Sequence, residues 1–248
     1  MLRVIINGYS GAMGKVLTKC VMEDDELELV CASSKDTLED VSFKTYTKMS
    51  DIEENTDVII DFSHHSAIND VLNYAISSRT PLVIATTGFN DEELENIKNA
   101  SNIIPIFHSS NMSLGVNVLV KLVKEAAKAL NGFDIEIIEK HHNKKLDSPS
   151  GTAVMIADGI KEVLSDSEFI YGRHGRSERR NSNEVGIHAI RGGTIVGEHT
   201  TIFAGHDEIV EIKHTAQSKD IFAKGAITAA KFLSDKEAGY YNMNDILQ

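Results

Sequence analysis

Two histidines, three lysines and a small-residue turn crowd into the run Glu139-Lys-His-His-Asn-Lys-Lys-Leu-Asp-Ser-Pro-Ser-Gly-Thr-Ala-Val154. An imidazole has an ordinary pKa of about 6.5, so His141 or His142 can hold or give a proton near neutrality. Lys145 adds fixed positive charge. Ser150, Gly151 and Thr152 open a helical pattern that continues to Leu164, and the first-turn amides of a helix, lacking partners within it, make a cradle for a carboxylate or phosphate. Binding and protonation of an anionic small molecule is the chemistry these residue types suit. Each feature alone is ordinary, since surface histidines, solvated lysine loops and Ser-Gly-Thr helix starts are common; their convergence on one segment carries the reading.

The elements that must position this segment follow from hydrophobic period. A helix from Leu114 to Leu130 leads into a strand from Phe133 to Glu139, with the histidines in the polar loop after it. Beyond the second helix, Val185 to Ile190, Thr200 to Phe203 and Glu208 to His214 read as antiparallel strands of a second, α+β domain, an open mixed sheet covered by two helices. Two basic stretches, Lys140 to Lys145 and Arg173 to Arg180, are the places where an anion would be drawn.

The first hundred residues have a different rhythm. Leu2 to Asn7 is a short apolar run fit for a buried parallel strand, and Gly8-Tyr-Ser-Gly-Ala-Met-Gly14 leads from it into a helical pattern. Glycines at 8, 11 and 14 in a strand–turn–helix context permit a tight turn, close approach to a pyrophosphate and close packing of helix on strand. Ser10 stands where the commonest dinucleotide motif has its second glycine, so a plain tight turn is the competing reading of the spacing alone. The second strand, Leu27 to Ala32, ends in Ser33-Ser34-Lys35 with no acid for ribose hydroxyls, which favours NADPH over NADH. Further strand–helix pairs follow: Thr56 to Phe62 with Ser66 to Ser77, Pro81 to Ala85 with Asp91 to Ala100, then a fifth strand Asn102 to Phe107. Such alternation predicts a doubly wound parallel sheet, with ligands beyond the strand carboxyl ends at Ser63-His-His65, Thr86-Thr-Gly88 and His108 to Met112. A last helix, Asp220 to Leu233, is expected to pack back on this domain. The expected division is therefore a dinucleotide-binding domain over 1–109, a substrate domain over 110–217 and a returning helix and tail over 218–248.

Composition excludes other classes. The 248-residue chain is 42% hydrophobic and 25% charged, and no apolar run approaches the roughly 20 residues that span a bilayer. Its net charge of −12 disfavours nucleic acid and anionic membrane as partners. The N-terminus passes straight into a strand without a leader pattern, and Cys20 and Cys31 offer neither a disulfide framework nor metal-ligand spacing, so a reducing cytoplasm is expected. No metal is expected at the histidine pair, because adjacent strand residues point to opposite faces.

Seven segments together resemble the bacterial 4-hydroxy-tetrahydrodipicolinate (dihydrodipicolinate) reductase family over nearly the whole chain. They are Gly8 to Gly14, Val83 to Phe89, Asn111 to Asn117, Glu136 to His142, Lys145 to Thr152, Arg191 to His199 and Phe222 to Ala226. The histidine pair followed by Lys145 and Pro-Ser-Gly-Thr is the most specific of them. The resemblance implies an N-terminal Rossmann-like domain, a C-terminal domain for substrate and tetramerisation, and NAD(P)H-dependent reduction of a cyclic imine dicarboxylate in the diaminopimelate and lysine route. It also implies His141 as general acid, Lys145 as a second proton donor, and His142, Gly151 and Thr152 as carboxylate ligands. Gly8, Tyr9, Ser10, Gly11, Ala12, Met13, Ala85, Thr86, Thr87, Ser109, Ser110, Asn111 and Met112 fall at dinucleotide positions. Three residues depart from the family pattern: Ser34 stands where NADH-using members carry an acid, Ala85 replaces a frequent glycine, and Lys219 replaces an arginine. Two other readings compete. A two-domain dehydrogenase acting on an aspartate-derived aldehyde needs a cysteine nucleophile in its second domain, and both cysteines lie in the first. A non-catalytic NADP-binding sensor needs only the glycine turn, not His141, Lys145 and the Ser-Gly-Thr cradle.

Overall fold

Strand β1 (Leu2–Asn7) buries its last four residues, Val4, Ile5 and Ile6 completely, the consequence of an apolar run that a parallel sheet can cover on both faces. In the computed structural model, which describes residues 1–36, 38, 41–175 and 179–248, this strand feeds helix α1 (Ala12–Met22), then β2 (Leu27–Ser33) and β3 (Lys44–Tyr46). Strand β4 (Val58–Asp61) leads through a short 3-10 turn into α2 (Ile68–Ser78). Next come β5 (Leu82–Ile84), α3 (Asp91–Ala100) and β6 (Pro105–His108). Helix α3 begins where Asn90 and Glu93 form a reciprocal capping box, and its acidic first turn suits the positive end of the helix dipole.

Helix α4 (Leu114–Ala129) opens the second part of the chain, followed by β7 (Asp134–His141), α5 (Gly151–Val163), β8 (Glu168–Tyr171), β9 (Glu184–Arg191), β10 (Gly197–Ala204) and β11 (Ile209–Ala216). The chain then forms α6 (Asp220–Leu233), β12 (Gly239–Tyr241) and the single turn α7 (Met243–Ile246).

Met1–Leu114 and Lys219–Gln248 form one compact unit, Gly115–Ser218 the other. The first unit carries a parallel seven-stranded sheet of order β12-β6-β5-β4-β1-β2-β3, reversing direction of growth between β1 and β4 as doubly wound sheets do. One apolar cluster holds Val4, Ile6 and Phe107 with Ala226, Ala230 and Leu233 of α6; the other holds Ile5, Ile59 and Ile84 with α2 and α3. Helix α6 packs on α1, β4, β5 and β6.

The second unit is a five-stranded mixed sheet of order β11-β10-β7-β9-β8, with residues of α4 and α5 in its core beside Ile135, Ile137 and Phe203. Its strands correct one expectation. Val185 to Ile190 lies in β9, which runs parallel to both β7 and β8; only β10 and β11 are antiparallel to their neighbours. The chain between β7 and β9 crosses back through α5, and a crossover of that length returns a strand in parallel where a hairpin cannot. Strand β7 also runs on through His141, so this histidine ends a strand rather than starting a loop. The basic stretch Arg173 to Arg180 lies partly outside the described residues. No described helix is long and apolar enough to cross a membrane.

Candidate active site

The glycine turn is built by two close approaches. Gly8 has φ +84°, and a Cβ there would stand 2.5 Å from the carbonyl oxygen of Phe62; a Cβ on Gly14 would stand 2.1 Å from that of Gly8. Helix α1 thus begins against the end of β1, with Gly11 as an N-cap that supplies no side-chain bond to the first-turn amides. Those amides and the bare turn fit a dinucleotide pyrophosphate. Gly8, Ser10, Gly11, Ser34 and Lys35 line a cleft of about 1250 Å³ that continues past Phe62 and His64. The Ser10 and Ser34 hydroxyls are 2.6 Å apart. Tyr9 faces the other way: its ring is buried edge-on to Phe43, and its hydroxyl accepts from the Leu38 amide. Met13 packs against the apolar core from the first turn that Ala12 opens.

At the other strand ends, Asp61 is buried and ties three strands together. Its carboxyl accepts from Asn7 Nδ2 at 2.7 Å and from Thr86 Oγ1 at 2.7 Å, and burial pushes it above the ordinary carboxylate value against these bonds. Ala85 is half-buried and Thr87 exposed beside it. Ser109 Oγ donates to the Asn111 carbonyl, Asn111 Oδ1 accepts from the Ser113 amide, Ser110 is exposed and Met112 buried.

In the second unit, sheet register brings the chemistry together. Parallel pairing sets Arg191 of β9 opposite His141 of β7, and antiparallel pairing sets His199 of β10 opposite Glu139. Glu139 and His141 share a face, being two residues apart on a strand. Glu139 is wholly buried. Its Oε2 accepts from His141 Nδ1 at 2.7 Å and from Arg191 Nη1 at 2.7 Å; its Oε1 accepts from Arg191 Nη2 at 2.7 Å and the Ser150 amide at 3.0 Å. Burial alone would raise this carboxyl, but the bonds from Arg191, His141 and Ser150 outweigh it and hold it below its ordinary value.

Ser150 is the N-cap of α5, its hydroxyl accepting from the Ala153 amide and lying 2.9 Å from His199 Nε2. His199 is 4% exposed and stands edge-on to His141, ring centres 5.2 Å apart. Burial first, and the neighbouring His141 second, push it down to about 4, so it is neutral at working pH. Lys145 Nζ pairs with Asp147 Oδ1 at 2.8 Å. His142 is half-buried, and its carbonyl accepts from the Lys145 amide. Gly151 is exposed, with no atom within 4 Å of where a Cβ would stand, which leaves open space at the head of α5 beside Thr152.

Glu139 thus ties His141 to the head of α5 at Ser150, whereas the expected cofactor positions divide between the cleft (Gly8, Ser10, Gly11, Ser34, Lys35) and side chains turned inward (Tyr9, Met13, Thr86, Met112). Glu139, Arg191, His199 and Asp61 escape sequence reasoning. The period-two relation of Glu139 to His141 is the signal that points to the first of them.

A Rossmann-type sheet with a glycine turn, joined to a second unit that presents a histidine, a lysine and a helix head, defines a nicotinamide-dependent reductase. Residues 2–112 match the family model for the dihydrodipicolinate reductase N-terminus and residues 115–247 the model for its C-terminus. The chain belongs to the dihydrodipicolinate reductase family. It is 53% identical over 100% of its length, and 99% of the relative's, to the 4-hydroxy-tetrahydrodipicolinate reductase of Caldanaerobacter subterraneus subsp. tengcongensis. It is 46% identical to that of Clostridium tetani, over 100% of this chain and 97% of the relative. Its fold matches dipicolinate-bound dihydrodipicolinate reductase from Paenisporosarcina sp. TG-14 with a TM-score of 0.83 at 23% identity, covering 99% of both chains.

Proposed function

We propose that this chain reduces 4-hydroxy-tetrahydrodipicolinate, with loss of its hydroxyl as water, or the dihydrodipicolinate formed from it by that dehydration, to tetrahydrodipicolinate, with NADPH as the preferred reductant, NADH as a possible one, and His141 and Lys145 as proton donors. The observation that carries the reading is the second-unit site: a histidine held by a buried carboxylate, a lysine three residues past His142, and an open helix head at Gly151, all in a chain of this family. Lys145, His142, Gly151 and Thr152 bind the two substrate carboxylates. The Lys145–Asp147 pair opens to admit one of them, exchanging a half-exposed carboxylate for the substrate's at little net cost. When bound in the first-unit cleft, the nicotinamide dinucleotide supplies the hydride. His141 then delivers the proton that the reduced ring requires, from its Nε2. The absence of an acid at Ser34, with Lys35 on the cleft, supports preference for a 2′-phosphate. Cytoplasmic action and a homotetramer complete the proposal.

Two experiments test these roles. His141→Ala and Lys145→Ala should each lower kcat, His141→Ala by about 10²- to 10⁴-fold, while the Kd for NADPH, read by nucleotide fluorescence, stays unchanged. Wild-type turnover and pH dependence in His141→Ala would refute the donor assignment. Ser34→Asp should raise the NADPH Kd about tenfold, a like-charge contact with the 2′-phosphate being worth about 1 kcal/mol or more, and tighter NADH than NADPH binding by the unaltered protein would overturn the cofactor preference.

A further inference from the structure

Arg191 ends β9 beside His141, and its guanidinium has a partner within the protein. Both terminal nitrogens lie on the Glu139 carboxylate in a two-pronged pair, and the remaining bonds of those nitrogens go to the carbonyls of Ile190 and Asp147. Glu139 in turn uses both oxygens twice, for Arg191 on each, His141 on one and the Ser150 amide on the other. An ionised carboxylate only accepts hydrogen bonds. When His141 is neutral, its proton must therefore sit on Nδ1. Its other nitrogen, Nε2, lies beside Gly197 of β10, where a Cβ would stand 3.1 Å away.

We propose that Glu139 is a positioning residue that fixes His141 with Nε2 turned to the substrate side, and that Arg191 serves Glu139 rather than the substrate. This rests on the reading of His141 as proton donor. One carboxylate thus holds the Nδ1 side of the His141 ring, and the two-pronged Arg191 grip holds the carboxylate itself. Through the Ser150 amide the same carboxylate fixes the head of α5, so donor and carboxylate cradle are aligned by one side chain. The other titratable neighbours are His199, neutral through burial and edge-on to His141; His214, which burial also pushes down; and Asp147, within reach of Arg191 and paired with Lys145.

The test compares pH profiles of kcat/KM for the unaltered enzyme, Glu139→Gln, Arg191→Lys and His141→Ala, with NADPH saturating. A donor must be protonated, so activity falls as pH rises through its pKa. Glu139→Gln removes the stabilising charge and should move that alkaline limb to lower pH by about one unit, with kcat lower by about 10²-fold and KM unchanged. Arg191→Lys, which keeps the charge but loses the paired grip, should move the limb the other way. An unmoved limb in Glu139→Gln, alongside the loss of activity in His141→Ala, would overturn the positioning role and leave the donor intact. Full activity in His141→Ala would overturn both. Should Glu139→Gln fail to fold, nitrogen-15 histidine spectra of the unaltered protein decide: neutral His141 must carry its proton on Nδ1, and an Nε2–H tautomer would refute the proposal. A KM that rises in Arg191→Lys with an unmoved limb would return Arg191 to the substrate.

Discussion

His199 is held neutral by burial beside a histidine that works by charging, and this has a cost at low pH. The unfolded chain takes up the proton at about 6.5, the folded chain only near 4. Between those values the unfolded state binds more protons, so stability falls as pH drops through the window, by up to about 3 kcal/mol. His199→Gln should flatten the dependence of the urea midpoint on pH between 7 and 4 relative to the unaltered protein; an equal slope would show that other groups set it. At this scale the sequence is legible only in part. His141 stands out because few side chains give protons near neutrality, and Lys145 because it adds fixed charge in the same short run. Glu139 and Arg191 do not, because a buried, paired carboxylate has the same letter as the many solvated glutamates of an acidic chain, and only register shows which arginine meets it.

Among the elements, the glycine turn gives the sharpest contrast. Gly14→Ala forces a Cβ into the Gly8 carbonyl and should cost about 1–3 kcal/mol or more, as overpacking does, with a matching loss of NADPH affinity. Gly11→Ala meets the same carbonyl only at 3.4 Å and should keep stability while weakening NADPH binding, since its Cβ would stand on the cleft. Thermal unfolding and nucleotide titration of the pair check this, and equal behaviour of the two variants would refute close helix–strand packing as the reason for the motif. Ser150→Ala should cost about 0.5–2 kcal/mol through the lost cap of α5. Elements with a long clear period, such as α3, α4 and α6, are legible from sequence to within a residue or so. Strands β3, β8 and β12 span three or four residues each, too few to establish a period, and they form because a sheet edge is available to pair with. The direction of β9 depends on the crossover before it, which side-chain alternation does not encode.

At the scale of the molecule, the chain leaves its first unit and returns to it. Ala223, Ala226, Ala230 and Leu233 of α6 are buried in the core of that unit, and β12 pairs with β6. A chain ending at Ser218 should lose NADPH binding and fail to unfold cooperatively; retention of the full Kd would show the first unit independent of its return segment. Four copies of the 27.2 kDa chain, about 109 kDa, is the mass expected in sedimentation for the proposed tetramer. The central claim is the reaction itself. Its most direct test is the fall in NADPH absorbance when the purified protein meets substrate generated in place from pyruvate and aspartate semialdehyde by the upstream synthase. Rapid oxidation that depends on both precursors, faster with NADPH than with NADH, is the expected result; folded protein that binds NADPH and oxidises none of it under those conditions would contradict the assignment.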